Sequence, residues 1–193
     1  MAQEIEIEFK NLLTETEYHT LYTQLEFATI EQVKQTNHYF ETDDYKLRDK
    51  GAALRIRQKA DTWTLTLKEP HPDGLLETHS TLSKETAMLW LENQLSAPSE
   101  INRQLEQLGI SAADLRYIGA LTTKRQEREY NHTLVVLDHS FYCGQSDYEL
   151  ELEARSKQHG EQVFEDILNT FHISKRATDN KIKRFFQAKL KSE

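Results

Sequence analysis

Apolar and charged positions alternate strictly along the first strand-like run. From Glu4 to Lys10, the residues Ile5, Ile7 and Phe9 share one face, while Glu4, Glu6, Glu8 and Lys10 share the other. A period of two predicts a β-strand. The same period returns at Ala53–Lys59, where Leu54, Ile56 and Gln58 oppose Arg55, Arg57 and Lys59. It returns again at 63–68, 75–82, 116–128, 133–140 and 147–154, and Ile30–Thr42 reads as a further strand. Spacings of three and four predict helices over 14–27, 83–95, 99–108, 160–171 and about 178–190. Thr14 with Glu17 forms a capping box, Ser99 reads as a helix cap, and Gly109 reads as the residue just past a helix end. Tyr45–Lys50 reads as a helical turn, and Glu69–Gly74, with Pro70 and Pro72, as a loop.

The charges are sorted by strand. One strand presents three glutamates, another Arg55, Arg57 and Lys59, and a late one Glu149, Glu151 and Glu153. Lone charges stand among apolar or small neighbours at Lys68, Glu77, Arg125 and Asp138. An open sheet with its charged face in water is the simplest arrangement, but solvated faces usually mix their signs. A closed antiparallel barrel of about eight strands accounts for the sorting. Apolar faces then turn outward against helices, and charged faces line the interior. Facing carboxylates suit a hard divalent cation, and facing arginines and lysines suit phosphate. A polyphosphate takes both.

Composition narrows the classes. The 193 residues are 37% hydrophobic and 29% charged, enough for one domain with a real core. A helical insertion falls at about 83–109 and C-terminal helices at about 160–190. The net charge of -8 argues against a general nucleic-acid binder. A single cysteine, Cys143, excludes a disulfide framework. No apolar run approaches a membrane span, and the chain enters a strand at once without a signal-like segment, so a cytoplasmic protein is expected. The eight histidines show no metal-ligand spacing on a helix. Lys183, Arg184, Lys189 and Lys191 read as a solvated helix face, and Trp63 and Trp90 as packing residues.

An ordered set of short motifs carries a resemblance. Glu6-x-Glu8-x-Lys10 comes first, followed by Tyr39-Phe40 before an acidic turn, then Leu54-Arg55-Ile56-Arg57-Gln58-Lys59 and Leu65-Thr66-Leu67-Lys68. Leu137-Asp138 and the Glu149–Glu153 alternation complete it. The chain resembles the CYTH domain proteins, the triphosphate tunnel metalloenzymes, in the short form found in Gram-positive bacteria. The resemblance implies an α+β, mainly β fold: an eight-stranded antiparallel closed β-barrel forming a tunnel, with helices packed outside and 1–193 as one domain. It implies Mg²⁺ or Mn²⁺ as cofactor and a triphosphate-containing small molecule as partner, with a homodimer allowed and neither nucleic acid nor membrane required. Metal ligands would be Glu6 and Glu8, two of Glu149, Glu151 and Glu153 (Glu151 and Glu153 preferred), and Asp138 nearby. Arg55, Arg57, Lys68, Arg125 and Lys181 would hold phosphates, with Lys175 as the second choice for the last. Glu77 would orient the basic residues, and Lys10 with Tyr39 would occupy the positions of a dyad that helps activate water. The implied activity is hydrolysis of the terminal phosphoanhydride of inorganic triphosphate or a relative such as thiamine triphosphate. The alternatives are an adenylate cyclase making cyclic AMP and a non-catalytic polyphosphate- or nucleotide-binding module.

Overall fold

A computed structural model describes residues 2–192. The described residues form eight strands: β1 (Ala2–Leu13), β2 (Val33–Thr42), β3 (Ala53–Lys59), β4 (Thr62–His71), β5 (Gly74–Leu82), β6 (Leu115–Tyr130), β7 (Thr133–Tyr142) and β8 (Gln145–Ala154). They close into a barrel in the order β1-β5-β4-β3-β2-β6-β7-β8, with antiparallel registers at the sequential hairpins and between β1 and β8. Among the described residues there are also six α-helices: α1 (Glu15–Gln24), α2 (Lys46–Asp49), α3 (Lys84–Leu91), α4 (Ser99–Gln107), α5 (Lys157–Thr170) and α6 (Lys181–Ser192). Among the described residues no helix is long and apolar enough to cross a membrane.

The contacts divide the chain into two compact units. The first holds Gln35–Ala120 and the start of β1 as far as Ile5; the second holds Glu6–Lys34 and the chain from Leu121 onward. Each has its own core on the outer face of its strands. In the first unit, Leu54 lies opposite Leu67 and Ile56 opposite Leu65. This apolar face packs against Ala87 and Trp90 of α3 and Ile101 and Leu105 of α4. In the second unit, Val135, Leu137, Leu150 and Leu152 pack against Tyr18 and Leu21 of α1 and Val163, Phe164 and Ile167 of α5. Gly160 lets α5 lie close to its sheet, because a Cβ there would meet the Phe9 ring at 2.5 Å and Ala154 Cβ at 2.6 Å. Burying these faces against helices removes apolar area from water at roughly 25 cal/mol per Å².

Several boundaries differ from the sequence pattern for local reasons. The segment Glu69–His71 is strand, paired with Leu76, Leu75 and Gly74, and only Pro72 and Asp73 turn. β3 pairs with β4 no further than Lys68, so Pro70 lies where no β3 partner needs its missing N–H. α1 has the expected capping box, with Thr14 N–H donating to Glu17 at 2.7 Å. It stops early because Glu26 takes a positive φ of 52° before a short turn at Phe27–Thr29. The N-cap position of α4 falls on Pro98, which gives no side-chain cap, and Ser99 is the first helical residue; the helix ends with Gly109 at φ +72° and Ile110 N–H donating to the Leu105 carbonyl at 2.8 Å. α5 begins at a Ser156 cap, four residues before Gly160.

Candidate active site

Residues directly opposite on paired strands share a face, so register alone assembles the charged inner rows. In the second unit Arg125 faces Asp138, Asp138 faces Glu149, Lys10 faces Glu151, and Glu8 faces Glu153. Arg125 donates from Nε to Asp138 Oδ1 at 2.8 Å and from Nη2 to Oδ2 at 2.6 Å, and Nη2 also reaches Glu151. Lys181, in the first turn of α6, lies 2.9 Å from Asp138 Oδ2 and contacts Glu149 and Glu151 as well. Arg184, one turn later, holds both oxygens of Glu149, at 3.1 and 2.7 Å, and Asp147 at 3.0 Å. Asp138 and Glu149 are fully buried, at 0% exposure. Unpaired, such charges would be very costly; here each carboxylate meets two cations. Burial works against charge on Arg125 and Lys181, but Asp138 with Glu151, and Asp138 with Glu149, outweigh it and raise both pKa values. Burial likewise opposes charge on Glu151, yet Lys181, Arg125 and Lys10 hold it well below the usual carboxylate range.

One sequence reading changes here. Arg184 is buried inside this network and is no part of a solvated helix face. Of the two late lysines, Lys181 reaches the carboxylates, whereas Lys175 is exposed and pairs with Glu165. Oxygens of Asp138, Glu149 and Glu151 lie within 4.8 Å of one another, a spacing that could hold a metal, but all three already bind side-chain cations.

Glu6, Glu8 and Glu153 are different. Burial, and then the Glu6 carboxylate, push Glu153 up to about 7 against the pull of Arg125, with Glu151 and Glu8 adding to the rise. Glu8 pairs with Lys10. Burial opposes charge on Lys10, but Glu8, Glu151 and Glu149 raise its pKa overall. A proton-accepting lysine needs the opposite shift. The Glu153 shift has a measurable sign. The folded state keeps that proton up to about pH 7, and the unfolded chain releases it near 4.5. The stability it confers is present below the unfolded value and is lost as pH rises through the folded one. Urea unfolding in EDTA should therefore show Glu153→Gln gaining stability over the parent between pH 5 and pH 8; an equal difference at both pH values would contradict the assignment.

In the first unit Tyr39 faces Arg55 and Asn37 faces Arg57 across β2 and β3, and Lys68 faces Glu77 across β4 and β5. Arg57 Nε–H donates to Asn37 at 3.0 Å. Lys68 pairs with the buried Glu77. Arg55 is only 13% exposed; its ion pair with Glu77 is a loose 4.0 Å, and its Nε is buried without a hydrogen-bond partner. His79, unassigned from the sequence, lies 3.0 Å from Thr66, 3.1 Å from Glu4 and 3.4 Å from Glu77. Those three acid and imidazole groups form a second set spaced closely enough for a metal. The signal for His79 was its even spacing from Glu77 in β5; Asn37 was likewise two residues from Tyr39.

A family model, CYTH domain, matches residues 4–186. The chain belongs to the CYTH domain family. Among CYTH relatives, "Putative triphosphatase YjbK" of Bacillus subtilis is 45% identical over 193 residues, covering all of both chains. A Bacillus halodurans crystal structure described as "a putative adenylate cyclase" is 46% identical, covers 96% of this chain and 100% of its own, and superposes with a TM-score of 0.92. The Hippeastrum protein HpAC1, described as having "a dominant triphophatase activity", covers 95% of this chain and 96% of its own at a TM-score of 0.79. At 20% identity its likeness carries the CYTH fold alone.

Proposed function

We propose that the protein is a divalent-metal-dependent triphosphatase that cleaves the terminal phosphoanhydride of inorganic triphosphate or a related triphosphate. The observation that carries the reading is Arg55: a nearly buried guanidinium with an unpartnered Nε and only a loose carboxylate contact, on a face that also presents Arg57 and Lys68. Such a group is prepared for an anion, and a guanidinium fork matches phosphate oxygens. The 45% identity to the Bacillus subtilis protein, over its full length, supports the same chemistry.

In this reading Arg55, Arg57 and Lys68, with Arg125 and Lys181, bind phosphate oxygens, and Glu77 orients Lys68 and Arg55. Lys10 enters as an ammonium donor, in line with its raised pKa, and Tyr39 supports the neighbouring Arg55. The whole chain, 1–193, serves as one triphosphate tunnel domain. Glu6, Glu8 and Glu153 fit a hard cation such as Mg²⁺ or Mn²⁺, since they offer carboxylate oxygens where burial and like charge make a lone anion unfavourable. Bound there, the cation supplies further neutralisation of the phosphate chain. Water attacks the terminal phosphorus, the bridging bond breaks, and orthophosphate and pyrophosphate leave. The residues contribute positioning and charge stabilisation, which is most of what phosphoryl transfer asks of a protein.

Phosphate release from tripolyphosphate, thiamine triphosphate and ATP, each with Mg²⁺ or Mn²⁺ and with EDTA, tests the proposal. Metal-dependent release from tripolyphosphate, abolished in Glu6→Gln, is expected. The description of the 46%-identical Bacillus halodurans chain favours a second reading, adenylate cyclase. Cyclic AMP formed from ATP, with no release from tripolyphosphate, would establish that reading instead.

A further inference from the structure

We propose that Arg184 is a positioning residue for phosphate binding: by gripping Glu149 it frees the Lys181 ammonium to turn toward a phosphate oxygen. The inference deepens the triphosphatase reading and rests on its assignment of Lys181 to phosphate. An ammonium has three N–H donors. Lys181 meets three carboxylates, Asp138 at 2.9 Å together with Glu149 and Glu151. A phosphate oxygen can therefore take a donor only if one carboxylate yields it.

Glu149 is the carboxylate that can yield. Arg184 donates to both of its oxygens, through Nη1 and Nη2, so Glu149 keeps two charge-assisted bonds when Lys181 turns away. Without Arg184, Glu149 would be a fully buried anion with Lys181 as its remaining ion-pair partner among the described residues. Turning Lys181 would then strand that charge, which is strongly unfavourable. Lys181 would stay on Glu149, and phosphate would bind less well.

The geometry around Arg184 suits this task. Its Nε–H donates to Asp147 Oδ2 at 3.0 Å, and Nη1 also donates to the Asp179 carbonyl at 2.5 Å. The Tyr142 hydroxyl donates to the same Asp147 oxygen at 2.5 Å. Groups of alternating character thus run inward from Tyr142 through Asp147, Arg184 and Glu149 to Lys181. A lysine at 184 could not reproduce the two-pronged grip on Glu149 while also holding Asp147.

Titration calorimetry with tripolyphosphate, in EDTA and again with Mg²⁺, tests the proposal alongside phosphate-release kinetics. Arg184→Gln should raise Kd and KM by about tenfold or more and leave kcat within about threefold, the split expected when ground-state binding is lost. Adding Glu149→Gln to Arg184→Gln removes the stranded charge and should return Kd to within about threefold of the parent. A role confined to docking α6 would instead lower kcat as well, and neutralising Glu149 would repair nothing. Parental affinity in Arg184→Gln, or a double variant as weak as the single one, overturns the proposal. If Arg184→Gln fails to fold, the same comparison is made between Arg184→Lys and Arg184→Lys/Glu149→Gln. If the parent binds tripolyphosphate without hydrolysing it, the triphosphatase reading fails while the Kd comparison still decides the role of Arg184. A parent that does neither overturns both.

Discussion

Replacing Asp138 by alanine is expected to lower the folding free energy by about 3–5 kcal/mol, the usual cost of removing one partner from a buried charge cluster. Asp138 is fully buried, takes both forks of Arg125 at 2.8 and 2.6 Å, and lies 2.9 Å from Lys181. Its loss leaves two cations to be shared by fewer anions, in a place that water reaches poorly. Asp138→Asn keeps the shape and removes the charge, so it should recover little if the charge is what counts. Urea denaturation measures both. A loss below about 1 kcal/mol in the alanine variant would mean that the cluster relaxes into water on removal of its central anion.

Arg55→Ala should act in the opposite way, on turnover and hardly on the fold. We expect kcat/KM for tripolyphosphate to fall about a thousandfold, in the range seen when one preorganised donor to a developing charge is removed. The fold should tolerate the change because, among the described residues, Arg55 makes a single ion pair, the 4.0 Å contact with Glu77, and its Nε has no hydrogen-bond partner. Arg55→Lys keeps the charge without the fork and should recover a minor part of the rate. Phosphate release and a urea midpoint on the same preparations check both halves. A parental rate in Arg55→Ala would remove the main support for the proposed function.

Much of the architecture was legible because alternation survives in the sequence. The opposition of Leu54 and Ile56 to Arg55 and Arg57 gave the two faces, and the sorting of charges by strand argued for closure. Register was not legible. That Lys10 faces Glu151, or Arg125 faces Asp138, depends on hairpin geometry and on the pairing of β1 with β8, neither of which a single strand encodes. Pro70 misled for the opposite reason: proline marks a break unless its neighbour strand has already ended. Arg184 reads from the sequence as part of a solvated face because it sits in a run of basic residues on α6. Only contact with Glu149 and Asp147 separates it from Lys183, which pairs with Asp179 at the surface. His79 was hidden by its type, since a lone histidine on a strand is usually unremarkable.

The apolar packing lies on the outer faces of the strands, against α3, α4, α1 and α5, while the charged rows occupy the other face. Alternate residues of one strand therefore meet different surroundings, helices on one side and charge on the other. Leu54 and Ile56, at the even positions of β3, are fully buried against the helices; Arg55 and Arg57, which alternate with them, are assigned to phosphate under the proposed function. Under the proposed function, changes at Arg55 and Arg57 would retune phosphate chemistry while the helix-facing packing of Leu54 and Ile56 stays in place.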